Sequence, residues 1–358
     1  MPNIQDTNRQ IACWLLVCAA TIYGMILLGG VTRLTHSGLS MVEWKPLVGI
    51  IPPLSEAAWQ ATFAKYQQFP EYQQVNVGMQ LAEFKSIFLF EYGHRVLGRL
   101  IGVIFLLPAL YFWWRGKLNR GLTPKLALMF LLGGLQGLLG WYMVKSGLVN
   151  EPQVSQYRLT AHLGAAVIIY AYILWVAFDL LWPSRMAPAP TAWLGRCAMG
   201  LTVLLFLMIL SGGLVAGTRA GFAYSTFPLM GDSFIPPGLY STSPAWLAMF
   251  EDITTVQFNH RIFAYTLFVL ITTFVVLALR QVQGPLRAAL YTLQGLLLLQ
   301  VCLGIATLVM LVPVPVAAAH QAGAVALFTC ALFVAHRLKV QAGEEGSTEA
   351  GLTPVPSL

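Results

Sequence analysis

The sequence predicts an all-α integral membrane protein of eight spans, arranged as two tandem four-helix bundles related by a pseudo-twofold axis along the membrane normal. Three observations lead there. Hydrophobic residues make up 57% of the 358-residue chain and charged ones only 10%, against about 25% charged in soluble domains. Eight segments reach the length of about 20 apolar residues that crosses a hydrocarbon core. The second half also repeats the landmarks of the first in the same order. The same composition excludes an ordinary cytosolic enzyme, a disordered chain and a collagen-like one.

The spans fall near 12–31, 86–111, 123–144, 157–182, 196–217, 254–278, 286–310 and 314–336. A backbone in lipid must satisfy its own hydrogen bonds, so these are helices. Span 1 reads as a retained helix rather than a cleaved signal. It is too long, its leader balances Arg9 against Asp6, and no small-x-small site follows. The five cysteines lie within or at the ends of spans, where they read as small apolar residues.

Charge sets the expected topology. The connections after spans 2, 4 and 6 carry Arg115, Lys117, Arg120 and Lys125, then Arg185 and Arg196, then Arg280 and Arg287, with no acid. The opposite loops hold Glu43, Glu56, Glu71, Glu83, Glu151, Asp232, Glu251 and Asp252. Both termini and the basic loops are therefore expected in the cytoplasm. The net charge of +7 is a record of topology, and no nucleic-acid partner follows from it.

The repeat organises the rest. Span 1 runs into Gly29-Gly30, then Gly38 and Pro52-Pro53; span 5 runs into Gly212-Gly213, then Gly221 and Pro236-Pro237. Spans 2 and 6 carry His94-Arg95 and His260-Arg261. Spans 3 and 7 carry Gln136 with Gly140 and Gln300 with Gly304, and spans 4 and 8 carry His162 and His320. The expected units are 1–182, a proline-bearing linker over 183–195, 196–336, and a polar tail over 337–358 without catalytic work. The long first outer loop, 32–85, holds Trp44, Trp59, Tyr66, Phe69 and Tyr72. Two readings fit it equally: short helices lying over the bundle, or a partly ordered loop with an aromatic belt.

Four of the six histidines share a depth. His94, His162, His260 and His320 each lie five to nine residues inside a span that starts on the outer face, roughly 8–13 Å down. A single buried histidine is usually a hydrogen-bonded core residue, but four ionisable residues in lipid, paired twice by the repeat, indicate a shared chemical role. Two imidazoles facing across a bundle suit axial ligation of a haem, whereas zinc would want three or four ligands per site. Gly98, Gly102 and Gly323 near them fit either a flat macrocycle or plain helix packing. Arg95 and Arg261 stand ready for haem propionates or are interfacial arginines, and Arg33, His36 and Arg219 are weaker candidates. His336 reads as a helix-end residue. Glu91 shares a helix face with His94, and the matching position of the second repeat is Gln257. A carboxylate on one side only suggests a working N-terminal site and an electron-supplying C-terminal one; the plainer alternative is that Glu91 ends its helix near water.

On the run Glu91-Tyr92-Gly93-His94-Arg95-Val96-Leu97-Gly98-Arg99, on Asn259-His260-Arg261, and on His162 and His320 at their repeat positions, the chain resembles the haem A synthase family over about 12–336. It lacks the loop cysteine pair of Gram-positive members and so looks like the proteobacterial and mitochondrial branch. The resemblance implies oxidation of the C8 methyl of haem O to a formyl group, through two hydroxylations and loss of water from a gem-diol, giving haem A for cytochrome oxidase. It implies His94 and His162 around the substrate porphyrin, Glu91 acting at the methyl, and a haem b on His260 and His320. It places the protein in the bacterial inner membrane with the haem sites toward the periplasm. It leaves open docking of a haem O synthase, of oxidase assembly factors, or of a second copy of the chain. Two other functions fit the histidines: a dihaem electron-transfer cytochrome b, and a haem transporter or chaperone.

Overall fold

The computed structural model of the chain describes residues 4–43, 51–148, 152–182 and 192–342. Eight of its helices are long and apolar enough to cross a membrane. They are α1 (Ile4–Leu34), α4 (Leu81–Trp114), α5 (Leu122–Gly147), α6 (Gln156–Leu181), α7 (Ala192–Thr218), α9 (Ile253–Leu279), α10 (Gly284–Val309) and α11 (Val314–Ala342). No strand forms among the described residues, and the chain is an integral membrane protein. Most helices outrun the expected spans, because the apolar count marks only the lipid-facing stretch while polar turns continue the hydrogen-bond ladder into water. Trp44, Glu151, most of the linker and all of the tail beyond Ala342 lie outside the described residues.

The two halves use like neighbours. In the first, α1 packs on α4 and α6, and α5 on α6; in the second, α7 packs on α9 and α11, and α10 on α11. The halves meet where α6 touches α7 and α1 touches α11. These cross-contacts rest on bare backbone. A Cβ on Gly30 would sit 1.6 Å from Gln321 Oε1, and one on Gly217 2.6 Å from Gln156 Cβ. Gln321 Nε2 uses that closeness to donate to the Ile26 carbonyl at 2.8 Å. The helices α5 and α10 are peripheral, with Leu131, Leu138 and Leu299 all more than half exposed, which costs nothing in lipid.

Each end of the bundle has its own lock. At the end with short basic loops, His336 is fully buried, bonded through Nε2 to Asp179 Oδ1 at 2.9 Å, and edge-on to Trp175. Lys125 lies 3.6 Å from the other Asp179 oxygen. His336 is thus a clasp between α6 and α11, not a helix-end residue: α11 continues six residues further, to Ala342.

At the opposite end, the loop end, the first long connection forms α2 (Glu56–Tyr66) and α3 (Pro70–Gln74). Ser55 caps α2 by accepting from Ala58 N–H, and Pro70 opens α3 where its missing N–H costs nothing. Tyr66, Phe84 and Phe88 make a second small core with Trp59, Phe63 and Tyr72. The helical reading of this loop therefore holds. Lys65–Glu43 at 2.7 Å and Lys85–Glu56 at 2.9 Å tie its rim. The short α8 (Ala248–Glu251) leads into α9, whose Asp252 cap accepts from Thr255 N–H at 2.7 Å.

A paired-histidine site in each half

His162, His260 and His320 lie six or seven residues into helices that start at the loop end, roughly 9–11 Å along the axis. His94 follows thirteen residues of α4, more than the sequence suggests, because α4 projects beyond the bundle to carry α2. His162 is within electrostatic reach of His94, and His320 of His260. Among the described residues no three His, Cys, Asp or Glu side chains converge, so each site offers a pair of imidazoles.

Every one of these rings rests on a glycine of a neighbouring helix. A Cβ at Gly29 would stand 3.0 Å from His94 Cε1, at Gly140 2.8 Å from His162 Cε1, at Gly212 3.6 Å from His260 Cε1, and at Gly304 2.9 Å from His320 Cε1. The four glycines were visible as landmarks of the repeat, yet their work as seats was not. Gly98, Gly102 and Gly323, the glycines near the histidines in sequence, meet Met25, nothing within 4 Å, and Gln300.

One ring nitrogen sets His260 apart from the other three. Nδ1 of His94, His162 and His320 is buried with no protein partner, whereas Nδ1 of His260 lies 2.9 Å from Ser211 Oγ. The repeat position of Ser211 in the first half is Leu28, which has no hydroxyl. A buried polar atom left unpaired costs about 1–3 kcal/mol, so these three imidazoles lack the supporting bond that His260 has. A pair of neighbouring imidazoles on glycine seats, with no further protein ligand among the described residues, would fit the two nitrogens that hold a haem.

The glutamate–glutamine asymmetry is built into the loops. Glu91 is buried, accepts at Oε2 from Ser40 Oγ and Met41 N–H, both at 2.7 Å, and pairs at Oε1 with Arg95. Gln257, also buried, donates from Nε2 to the Tyr224 carbonyl at 3.0 Å. One side chain answers loop donors and the other a loop acceptor. The arginines do likewise: Arg95 donates to the carbonyls of Met41 and Glu43, and Arg261 to those of Tyr224, Thr226 and Leu229. Arg261 Nε stays buried and unpartnered, as does Nε of Arg33. Arg33 reaches across the halves to the carbonyls of Ala216 and Gly217 at 3.1 and 3.4 Å.

With this geometry in hand, the comparisons are specific. A family model described as cytochrome oxidase assembly protein, COX15-CtaA, matches residues 12–332. The chain belongs to the COX15-CtaA family. A relative from Nitrosospira multiformis named "Heme A synthase" is 54% identical over 338 residues, covering 93% of this chain and 95% of its own. Mouse and human relatives, each named "Heme A synthase COX15", are 48% and 47% identical over 342 residues, covering 93% of this chain and 83% of theirs. For a COX15-CtaA member, the residue that sequence reasoning passed over is Glu71. It was counted only among outer-loop acids, but it is 5% exposed, with Oε2 buried and unpartnered.

Proposed function

We propose that the chain is a haem A synthase, a membrane oxidoreductase that converts the C8 methyl of haem O to the formyl group of haem A. The observation that carries this is the pair of glycine-seated histidines in each half of a chain 47–54% identical, over 93% of its length, to proteins named for that activity. His94 and His162 receive the substrate haem O, and His260 and His320 hold a resident haem b. Supporting that division, Ser211 holds the Nδ1 of one imidazole of the C-terminal pair, and neither imidazole of the N-terminal pair has such a bond. A bound haem b supplies one-electron transfer.

The chain's own residues do the rest. Glu91 and Arg95 hold residues 40, 41 and 43 of the loop one helical turn from His94. Arg95 and Arg261 bring positive charge within electrostatic reach of His94 and His260, where propionates would meet it, and Arg261 Nε is the donor left over. The units 1–182 and 196–336 are read as related by a twofold axis. Supporting it, His36 and Arg219, equivalent by the repeat and both left-handed at φ 52° and 59°, touch each other at 3.4 Å. The basic short loops support cytoplasmic termini, with the histidines toward the periplasmic side of a bacterial inner membrane. A haem O-producing enzyme must deliver the substrate; an electron donor, oxidase assembly factors and a second copy of the chain are the remaining partners of this reading.

Acid-acetone extraction of the purified protein, with and without Glu91→Ala, tests it. Haem A or hydroxylated haem O is expected in the wild type and haem O in the variant; only haem b in both, at two per chain, would sink the reading. A separate prediction concerns Ser211→Ala. The C-terminal haem should lose about tenfold in affinity or more and shift its electron-resonance signature, with the N-terminal pigment unchanged. An unchanged spectrum would remove Ser211 from the ligand's support.

A further inference from the structure

Glu91 is engaged on both oxygens, which accept from a hydroxyl, a backbone N–H and a guanidinium and tie it to the loop. The chemistry moves protons whichever oxygen source operates. With water, a methyl becomes a hydroxymethyl and releases two protons and two electrons; with dioxygen, the same change takes up two protons and two electrons and leaves one water. The site therefore needs a second acid–base group near the loop end.

One side chain answers that description. Glu71 projects from α3, a helix only the first long loop supplies, and the next residues of α3, Gln73 and Gln74, are exposed. Its carboxyl is buried, with Oε2 bonded to nothing. The charged and titratable groups around it come from four elements: Glu91 on α4, Arg33 at the end of α1, Arg219 beyond α7, and Tyr66 on α2. No carboxylate–guanidinium bridge ties Glu71 to either arginine among the described contacts.

We propose that Glu71, buried with an unpartnered oxygen among Glu91 and the two arginines, is the proton-exchanging carboxyl of the N-terminal site, and that Glu91 is the loop anchor. Deprotonation passes one proton to water over α3 and leaves a carboxylate facing Arg33 and Arg219; reprotonation reverses this. Glu71 is a positioning residue in that it acts on charge at the site, not by touching the methyl. The proposal rests on the haem A synthase reading only for what the proton is used for. Burial, and next the charge of Glu91, push the Glu71 carboxyl up to about 8, against the pull of Arg33 and Arg219.

The test uses the full chain in lipid nanodiscs, as wild type, Glu71→Gln, Glu71→Asp and Glu91→Gln. Infrared difference spectra between pH 6 and pH 10 should show one protonated-carboxyl band disappearing with a midpoint near 8 in the wild type. That band should persist with a lower midpoint in Glu91→Gln, be missing in Glu71→Gln, and reappear shifted in Glu71→Asp. Thermal stability gives a second readout. The folded chain holds a proton on Glu71 that the unfolded chain has released, so wild-type stability should fall as pH rises from about 5 toward 8, and Glu71→Gln should flatten that slope. Haem A formation should fall about tenfold in Glu71→Gln and recover in Glu71→Asp with a displaced alkaline limb. A band that survives in Glu71→Gln, or is already absent at pH 6 in the wild type, overturns the proposal. Failure of the wild type to make haem A would instead overturn the functional reading and leave the band assignment standing.

Discussion

Substituting His162 by alanine is expected to reduce haem A to background while leaving one haem per chain, of b type, on His260 and His320. His162 is the cleaner choice of the N-terminal pair, because His94 also neighbours the Glu91–Arg95 lock on α4, and its loss would loosen the loop as well. The ring of His162 contacts Gly140 of α5, and its backbone carbonyl accepts from Gln136 Nε2 at 2.8 Å. That main-chain tie survives the substitution, so α5 and α6 should stay docked. The C-terminal pair draws on α7, α9, α10 and α11, and α6 stays tied to that half by Tyr170–Thr329 and Asp179–His336, far from His162 in sequence. Extraction and reduced-minus-oxidised spectra check both parts. Loss of the second haem together with the first would contradict the division of labour between the halves.

The second large effect comes from a single methyl group. Gly140→Ala and Gly304→Ala place a Cβ 2.8 and 2.9 Å from the imidazoles of His162 and His320, closer than real carbon contacts allow. The backbone of a packed helix yields little, so the ring must turn, and overpacking of this kind costs about 1–3 kcal/mol. Ligation tolerates little misplacement, so Gly140→Ala should deplete the substrate pigment and Gly304→Ala the b-type pigment, each alone. Gly212→Ala is the control: its Cβ would lie 3.6 Å from His260, an ordinary contact, and haem content should hold. Equal losses in all three variants would mean that the glycines serve helix packing in general. Equal retention would mean that the rings have room the structure does not give them.

Much of this site was legible before any coordinates, for a definite reason. In lipid the backbone has one way to satisfy itself, so apolar length alone marks the eight helices. An ionisable residue is costly there, so His94, His162, His260 and His320 stand out against a background of Leu and Val. The tandem order of Gly-Gly, His-Arg, Gln and His then pairs them without a structure. Spacing along one helix likewise put Glu91 on the face of His94, while its pairing with Arg95 came from the fold.

What lay beyond reach were relations between side chains far apart in sequence. Periodicity gives a residue its depth but not the helix it will meet, so it pointed to Gly98 and Gly323 where the fold uses Gly29, Gly140, Gly212 and Gly304. It matched Arg95 and Arg261 by repeat, but only the folded loops showed their guanidinium groups occupied by carbonyls of residues 41, 43, 224, 226 and 229. It set His336 at a helix end, where packing makes it half of a buried clasp with Asp179, 157 residues away. Glu71 was one acid among eight in polar loops until α2 and α3 folded it under Tyr66 and beside Arg33. Sequence alone determined the eight membrane helices and which histidines stand out in them, because those follow from local transfer energies. Which atoms meet, and so why Glu91 is bonded on both oxygens while Glu71 keeps an unpartnered one, was decided by tertiary packing, because hydrogen-bond partners are fixed by distances that only the folded chain sets.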